Sequence, residues 1–327
     1  MLPAPGASVV YPYAQYGFGN AFLEQIVTNG RADYDALQTR AQRRFANGFA
    51  FTTAYTYSKA LGDFLDHLSA GGGATGNFPR DAYNMGADYG PLPFDIRHRL
   101  SASFIYELPF GPGRAFNPGG VAGAVVGGWA VNGILSLNSG RPFSISATDR
   151  AGTGVGRRAA ADCIADPLPS GFNQTNDQWF DVTAFAAPAI STYGNCGYNT
   201  VYGPSSKSMN LSLFRSISFS EHRRVELRVE SFNLFNWVNY GFPGMSASNL
   251  ATFGRIRARK AIRVSCRWLS GFTSSHGSTR SHLATVQHWC NTVQHGRHLA
   301  TVQHRCFPDG AGECLGYGAD WWLRRRS

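Results

Sequence analysis

Long runs in which bulky apolar residues alternate with small or polar ones limit what this chain can become. Side chains of a β-strand point alternately to opposite faces, so such a run suits only a strand with unlike surroundings on its two sides. Phe49, Phe51, Thr53, Tyr55 and Tyr57 alternate with Ala50, Thr52, Ala54, Thr56 and Ser58. Leu100, Ala102, Phe104, Tyr106 and Leu108 face away from Ser101, Ser103, Ile105 and Glu107. Trp129, Val131, Leu135 and Leu137 oppose Ala130, Asn132, Ser136 and Asn138. The pattern recurs at Leu211, Leu213, Ile217 and Phe219, and at Val225, Leu227 and Val229 against Glu226, Arg228 and Glu230. A more polar run covers Asp35 to Phe45.

The links between these runs come in two kinds. Asn47-Gly48 is a strong hairpin signal, and Glu221-His222-Arg223 is nearly as short. Gly62 to Phe94 and Ser144 to Lys207 are long, polar and Gly-rich. Tight turns at one end and long loops at the other predict an up-and-down antiparallel array. Soluble β-sandwich strands usually run about five or six residues. Several here run about ten, the length an outer-membrane barrel needs. Tyr55, Tyr57, Phe110, Trp129, Trp237 and Tyr240 are expected to form aromatic girdles at the two interfaces.

Composition agrees. Aromatics reach 13% while charged residues are only 15%, which excludes intrinsic disorder. No apolar run is long enough for a spanning helix, and 38 glycines disfavour an α-rich protein. The net charge of +10 is concentrated in the last part of the chain. Residues 257–327 hold 11 Lys and Arg against 3 Asp and Glu, whereas the first 256 residues hold 19 against 17. The body has no basic face interleaved with stacking aromatics, so no nucleic-acid partner is expected.

Candidate chemistry is sparse. No Cys-x-x-Cys occurs, so the usual zinc-ribbon and thioredoxin spacings are missing. Cys163 and Cys196 flank a loop-like region and could pair in an oxidising compartment. Asp63, Asp66 and His67 read as loop residues, and Gly71 to Gly76 lacks the Lys-Ser/Thr ending of a phosphate loop. Asp95, Arg97, His98 and Arg99 cluster at a strand start, where a rim or wet-lumen role outweighs a catalytic one. Six of the nine histidines lie beyond residue 268, and Cys290 and Cys306 each follow a histidine by two positions. Their spacing matches no closed zinc motif. No catalytic residue, metal site or cofactor is expected. Met1 to Gly6 has neither a basic n-region nor an apolar h-region, which by itself predicts a cytoplasmic chain.

A series of segments resembles one family. Asp33-Tyr-Asp-Ala-Leu-Gln38, Gln42-Arg-Arg-Phe-Ala-Asn-Gly48 and Ala54-Tyr-Thr-Tyr-Ser-Lys59 are similar to runs in Oar-like TonB-dependent outer-membrane receptors. So are Phe94-Asp-Ile-Arg-His-Arg-Leu100 with Tyr106-Glu-Leu-Pro-Phe-Gly111, and Gly127-Gly-Trp129 through Ser139-Gly-Arg-Pro-Phe143. Trp179-Phe-Asp181, Ala184-Phe-Ala-Ala-Pro188, Tyr193-Gly-Asn-Cys-Gly197 and Gly203-Pro204 follow in order. Glu230-Ser-Phe-Asn-Leu-Phe-Asn-Trp-Val-Asn-Tyr-Gly241 completes the series.

The resemblance implies the C-terminal part of a barrel of about 22 strands with a plugged lumen. Of these, six or seven strands are legible here. The expected fold is therefore all-β: a partial up-and-down antiparallel transmembrane barrel with an irregular C-terminal tail. Residues 1–268 are the expected barrel portion. Residues 269–327 are a His-rich low-complexity tail, in which His282-Leu-Ala-Thr-Val-Gln-His288 recurs at His298 to His304, as a frameshift into repetitive DNA would give.

The implied function is TonB-dependent uptake of an unknown large solute, with outer-membrane lipid as partner. The TonB system would act only through a plug and contact segment that have no counterpart in these residues. The alternatives are a non-functional remnant reading frame, or a small passive outer-membrane barrel or adhesin.

Overall fold

The computed structural model describes residues 30–63, 79–81, 83–151, 159–220, 223–260, 265–276 and 280–291, the last two stretches as backbone only. Eight long strands dominate: β1 (Ala32–Ala46), β2 (Phe49–Gly62), β3 (His98–Glu107), β4 (Trp129–Asn138), β5 (Ser206–Ser220), β6 (Arg223–Phe232), β7 (Ser265–His276) and β8 (Arg280–Asn291). Each pairs antiparallel with the next, so strand order in the sheet follows chain order. The up-and-down array expected from the alternation is the fold, left open between β1 and β8 among the described residues.

Two features differ from the sequence reading. Among the described residues there are eight long strands, against the six or seven legible in the sequence. Also, β7 runs through position 268 and β8 lies within the segment expected to be irregular. The β8 backbone is paired residue for residue with β7, from His276↔Arg280 to Ser265↔Asn291. Its β-branched Thr285 and Val286 suit an extended backbone. Residues 292–327, with most of the repeat, lie outside the described residues. Arg259 and Lys260 pair with Tyr240 and Asn239 in a separate two-stranded ladder.

The β1–β2 link is the two-residue turn Asn47-Gly48. Both residues have positive φ, 53° and 77°, as the hairpin turn matched to strand twist requires. In an antiparallel meander the links alternate between ends. Residues 47–48, 108–128, 221–222 and 277–279 connect strands at one end, and 63–97, 139–205 and 233–264 at the other. These are the turn end and the loop end. The 108–128 link is long for a turn end and carries a helix, α1 (Gly120–Val126), that the strand pattern does not announce.

Register sorts the wall into two faces. Tyr55↔Leu100, Leu100↔Leu137, Leu135↔Met209 and Leu213↔Val229 chain the apolar positions of five strands onto one face. On the other, Thr52↔Ser103, Ser101↔Ser136, Ser208↔Ser136 and Ser212↔Glu230 collect polar ones, with Ile134 among them. Charges on the apolar face sit near strand ends. On β5, Lys207 and Arg215 bracket Met209, Leu211 and Leu213. Eight residues span about 27 Å along a strand, or about 20 Å of height at a tilt near 40°. That approaches the ~25 Å apolar band of an outer-membrane barrel.

Little is buried in the wall. The hydrophobic core lies beyond its loop end, where Phe143, Ile145, Ala161, Phe180, Ala184, Phe185, Cys196, Val201 and Phe253 pack together. All come from the links 139–205 and 233–264, which form a cap.

Candidate functional site

The cap is built around stacked rings. Phe180 is fully buried, with Phe253, Phe185 and Phe143 ring centroids at 5.1, 5.4 and 6.2 Å. Cys163 and Cys196 form a disulfide with Sγ–Sγ 2.03 Å and Cα–Cα 4.9 Å, bridging two arms of the 139–205 link. The two ends of that link pass so closely that a Cβ on Gly140 would lie 1.7 Å from the Gly203 carbonyl oxygen. Only glycine fits this crossing.

Polar side chains attach the cap to the wall. Asp95, 1% exposed, accepts the Ala60 N–H of β2 at 2.9 Å with one oxygen and the Tyr202 hydroxyl at 2.8 Å with the other. Arg97 pairs with the second oxygen at 3.0 Å and donates to the Tyr202 oxygen. Burial pushes the Tyr202 phenol above its usual range; the Arg97 hydrogen bond opposes this and Asp95 adds to it. Ser58 Oγ donates to the Ile96 carbonyl at 3.0 Å, and Asn210 Oδ1 accepts the Asn233 N–H at 3.0 Å. Ser58 and Asn210 both belong to the polar face by register. The long links therefore fold over the polar side of the wall.

A cleft of about 430 Å³ opens in the cap, lined among others by Arg80, Asp88, Phe143, Ile145, Tyr198 and Met245. Its ion pair is buried: Arg80 Nε lies 2.7 Å from Asp88 Oδ1, with Nη1 donating to the Gly194 carbonyl. These bonds tie residues 80–88 to the disulfide arm. A second hollow of about 220 Å³ at the cap–wall junction is lined by Asn138, Arg141, Tyr240 and Phe242. Below the cap, Arg228 on the polar face pairs with Glu226 at 2.8 Å and Glu230 at 3.5 Å. The cap thus places a cleft of mixed polar and apolar lining above a charged, hydrogen-bonding face of the wall.

The cluster noted in the sequence divides. Asp95 and Arg97 are the cap latch. His98 lies on the apolar face, its Nδ1 2.8 Å from the Tyr55 hydroxyl and its ring 5.1 Å from Tyr57. Tyr55, Tyr57 and His98 form one aromatic rim, and Phe49, Tyr106 and Trp129 mark the other end of the same face. Trp237 and Tyr240 stand in the cap instead, because β6 ends at Phe232 before reaching them. Asp63 accepts the Arg31 N–H, while Asp66, His67 and the Gly71–Gly76 run lie outside the described residues. Side chains beyond residue 260, including Cys290 and Cys306, also lie outside them. The Arg80–Asp88 pair and the Tyr202 contact escaped sequence reasoning. Only the non-periodic aromatics of a Gly-rich segment could have signalled a folded loop.

No helix among the described residues is long and apolar enough to cross a membrane. Searches of curated proteins and of solved structures find no match. The family described as "Outer membrane beta barrel domain" matches residues 3–267. That match bears out the outer-membrane location implied by the family resemblance, against the face-value cytoplasmic reading of the first six residues. The chain belongs to the outer membrane beta barrel domain family, and its place is the outer membrane.

Proposed function

We propose that this chain is the C-terminal barrel portion of an Oar-like TonB-dependent receptor, taking part in uptake of a large solute. The observation that carries this reading is the cap: the described parts of the links 139–205 and 233–264, joined by residues 80–97, gather over the polar face of an open wall, as loops do over the mouth of a wide barrel. The ordered series of motifs from Asp33 to Gly241 supports the same assignment. The wall would form part of the conduit and the cap part of the outer rim. Energy coupling would need a plug and a TonB-contact segment.

Translating the DNA that flanks the coding sequence tests the reading. In-frame plug and further strand segments upstream are the expected result. A complete reading frame under its own promoter with neither would overturn it.

The count of eight long strands favours a second reading, a small passive barrel, because single-chain barrels begin at eight. That reading predicts a heat-modifiable monomer band from outer-membrane fractions. A chain recovered only as aggregate rules it out.

A further inference from the structure

We infer that the 108–128 link is a lipid-contact element, seated against the acyl chains of the leaflet at the turn end of the wall. The inference rests on the outer-membrane placement of the strands and adds a second kind of membrane contact to it.

α1 is built inside out by the standards of a water-facing helix. Gly123 and Gly127, four apart, fall on its inner side and are buried, and Gly111 and Gly127 approach so closely that a Cβ on either would clash with the other. Val121 and Val125, also four apart, fall on its outer side, 81% and 61% exposed. Phe116 adds a ring that is 61% exposed, held by mutual backbone hydrogen bonds among Pro109, Gly111 and Phe116. A helix on a soluble surface turns its large apolar residues inward. This one turns glycine inward and valine outward. From Ala115 to Gly128 there is no charged residue.

Continuity with the wall identifies what covers this patch. Trp129 and Arg215 are cross-strand partners on the apolar face at the turn end. Trp129 Nε1 donates to the Val125 carbonyl at 3.0 Å. Arg215 donates to the carbonyls of Ala124 and Val125. The carbonyls at the end of α1 are thus satisfied by side chains of the lipid-facing surface, and the helix sits at the level of that rim. An apolar element held there extends the hydrocarbon contact of the wall, as interfacial helices do. Exposed to water, the same patch would favour association.

Quenching separates lipid from water and from protein. In the full chain refolded into phosphatidylcholine vesicles, Val121, Leu135 on the wall or Ile190 in the cap is replaced, one at a time, by a coumarin-bearing amino acid. Lipid brominated on its acyl chains is expected to quench the labels at 121 and 135 at least threefold more than the label at 190. Aqueous iodide is expected to do the reverse. If the label at 135 is quenched by lipid while that at 121 responds to iodide, the link faces water and the inference falls alone. If 121 is shielded from both quenchers, protein covers it and the inference falls. If 135 itself escapes the brominated lipid, the membrane placement of the wall fails and takes the inference with it. A label replacing Val125 repeats the readout one helical turn away and must agree.

Discussion

The wall and the cap reverse the usual relation between regular structure and core. The wall has all the long strands and almost no buried apolar side chain. The cap has no strand longer than two residues among those described, yet holds the core, the disulfide and the buried Arg80–Asp88 pair. The solvents explain the difference. A barrel wall satisfies its backbone through the ladder and leaves its apolar face to lipid, so it needs no interior of its own. Loops reaching into water have no lipid to cover them and must bury apolar groups against one another.

The comparison breaks most clearly at Phe180. Phe180→Ala removes the ring at the centre of the cap core, and core truncations of this kind cost about 3–5 kcal/mol. The cap should open, seen as rapid reduction of the Cys163–Cys196 bond by a phosphine, while the strand signal in circular dichroism persists. Loss of both together would show that wall and cap fold as one unit.

Removing the bridge with Cys163→Ser and Cys196→Ser frees a loop with a sequence separation of 33. Chain entropy puts the cost at about 3–4 kcal/mol, felt in the cap alone. Limited proteolysis should then cut within 139–205 and spare β4 and β5.

The wall has its own test, in which the two faces give opposite results. Leu135→Arg puts a charge on the apolar face near mid-strand and should cost about 2–4 kcal/mol in a guanidinium titration of vesicle-inserted protein. Ser136→Arg, one residue on and on the polar face, should change the midpoint little. Equal losses would mean that the faces are assigned wrongly.

Legibility divides along the same line. Phe49 through Tyr57 betray their strand because lipid on one side and a polar lumen on the other impose a strict period of two. Asn47-Gly48 betrays its turn because few residues accept positive φ there. Cap residues have no such period. Phe143, Phe180, Phe185 and Phe253 meet from positions set by irregular backbone, and Tyr202 finds Asp95 across more than a hundred residues of chain. Cys163 and Cys196 could be noted as a pair by their place in a loop. Nothing local marks Arg80 and Asp88 as an ion pair, or α1 as a helix among glycines.

The finest contrast between the regions is their response to alkali. Tyr202 holds its proton more tightly in the folded cap than in an unfolded chain, first because it is buried and further because Asp95 accepts its hydrogen bond. Its contribution to stability is therefore complete below the ordinary phenol value of about 10 and is lost as pH rises through the raised folded value. The cap latch should loosen above about pH 10, with faster phosphine reduction of the disulfide, in a window where the wall ladder is unchanged. Other tyrosines also ionise there, so Tyr202→Phe supplies the comparison. That variant loses one hydrogen bond to a charged acceptor, about 1.5–3 kcal/mol reduced by its partial exposure, at neutral pH. It should then show a flatter rise in reduction rate with pH than the parent. An equally steep rise in both would move the alkaline weak point away from the Asp95–Tyr202–Arg97 contact and into the rest of the cap.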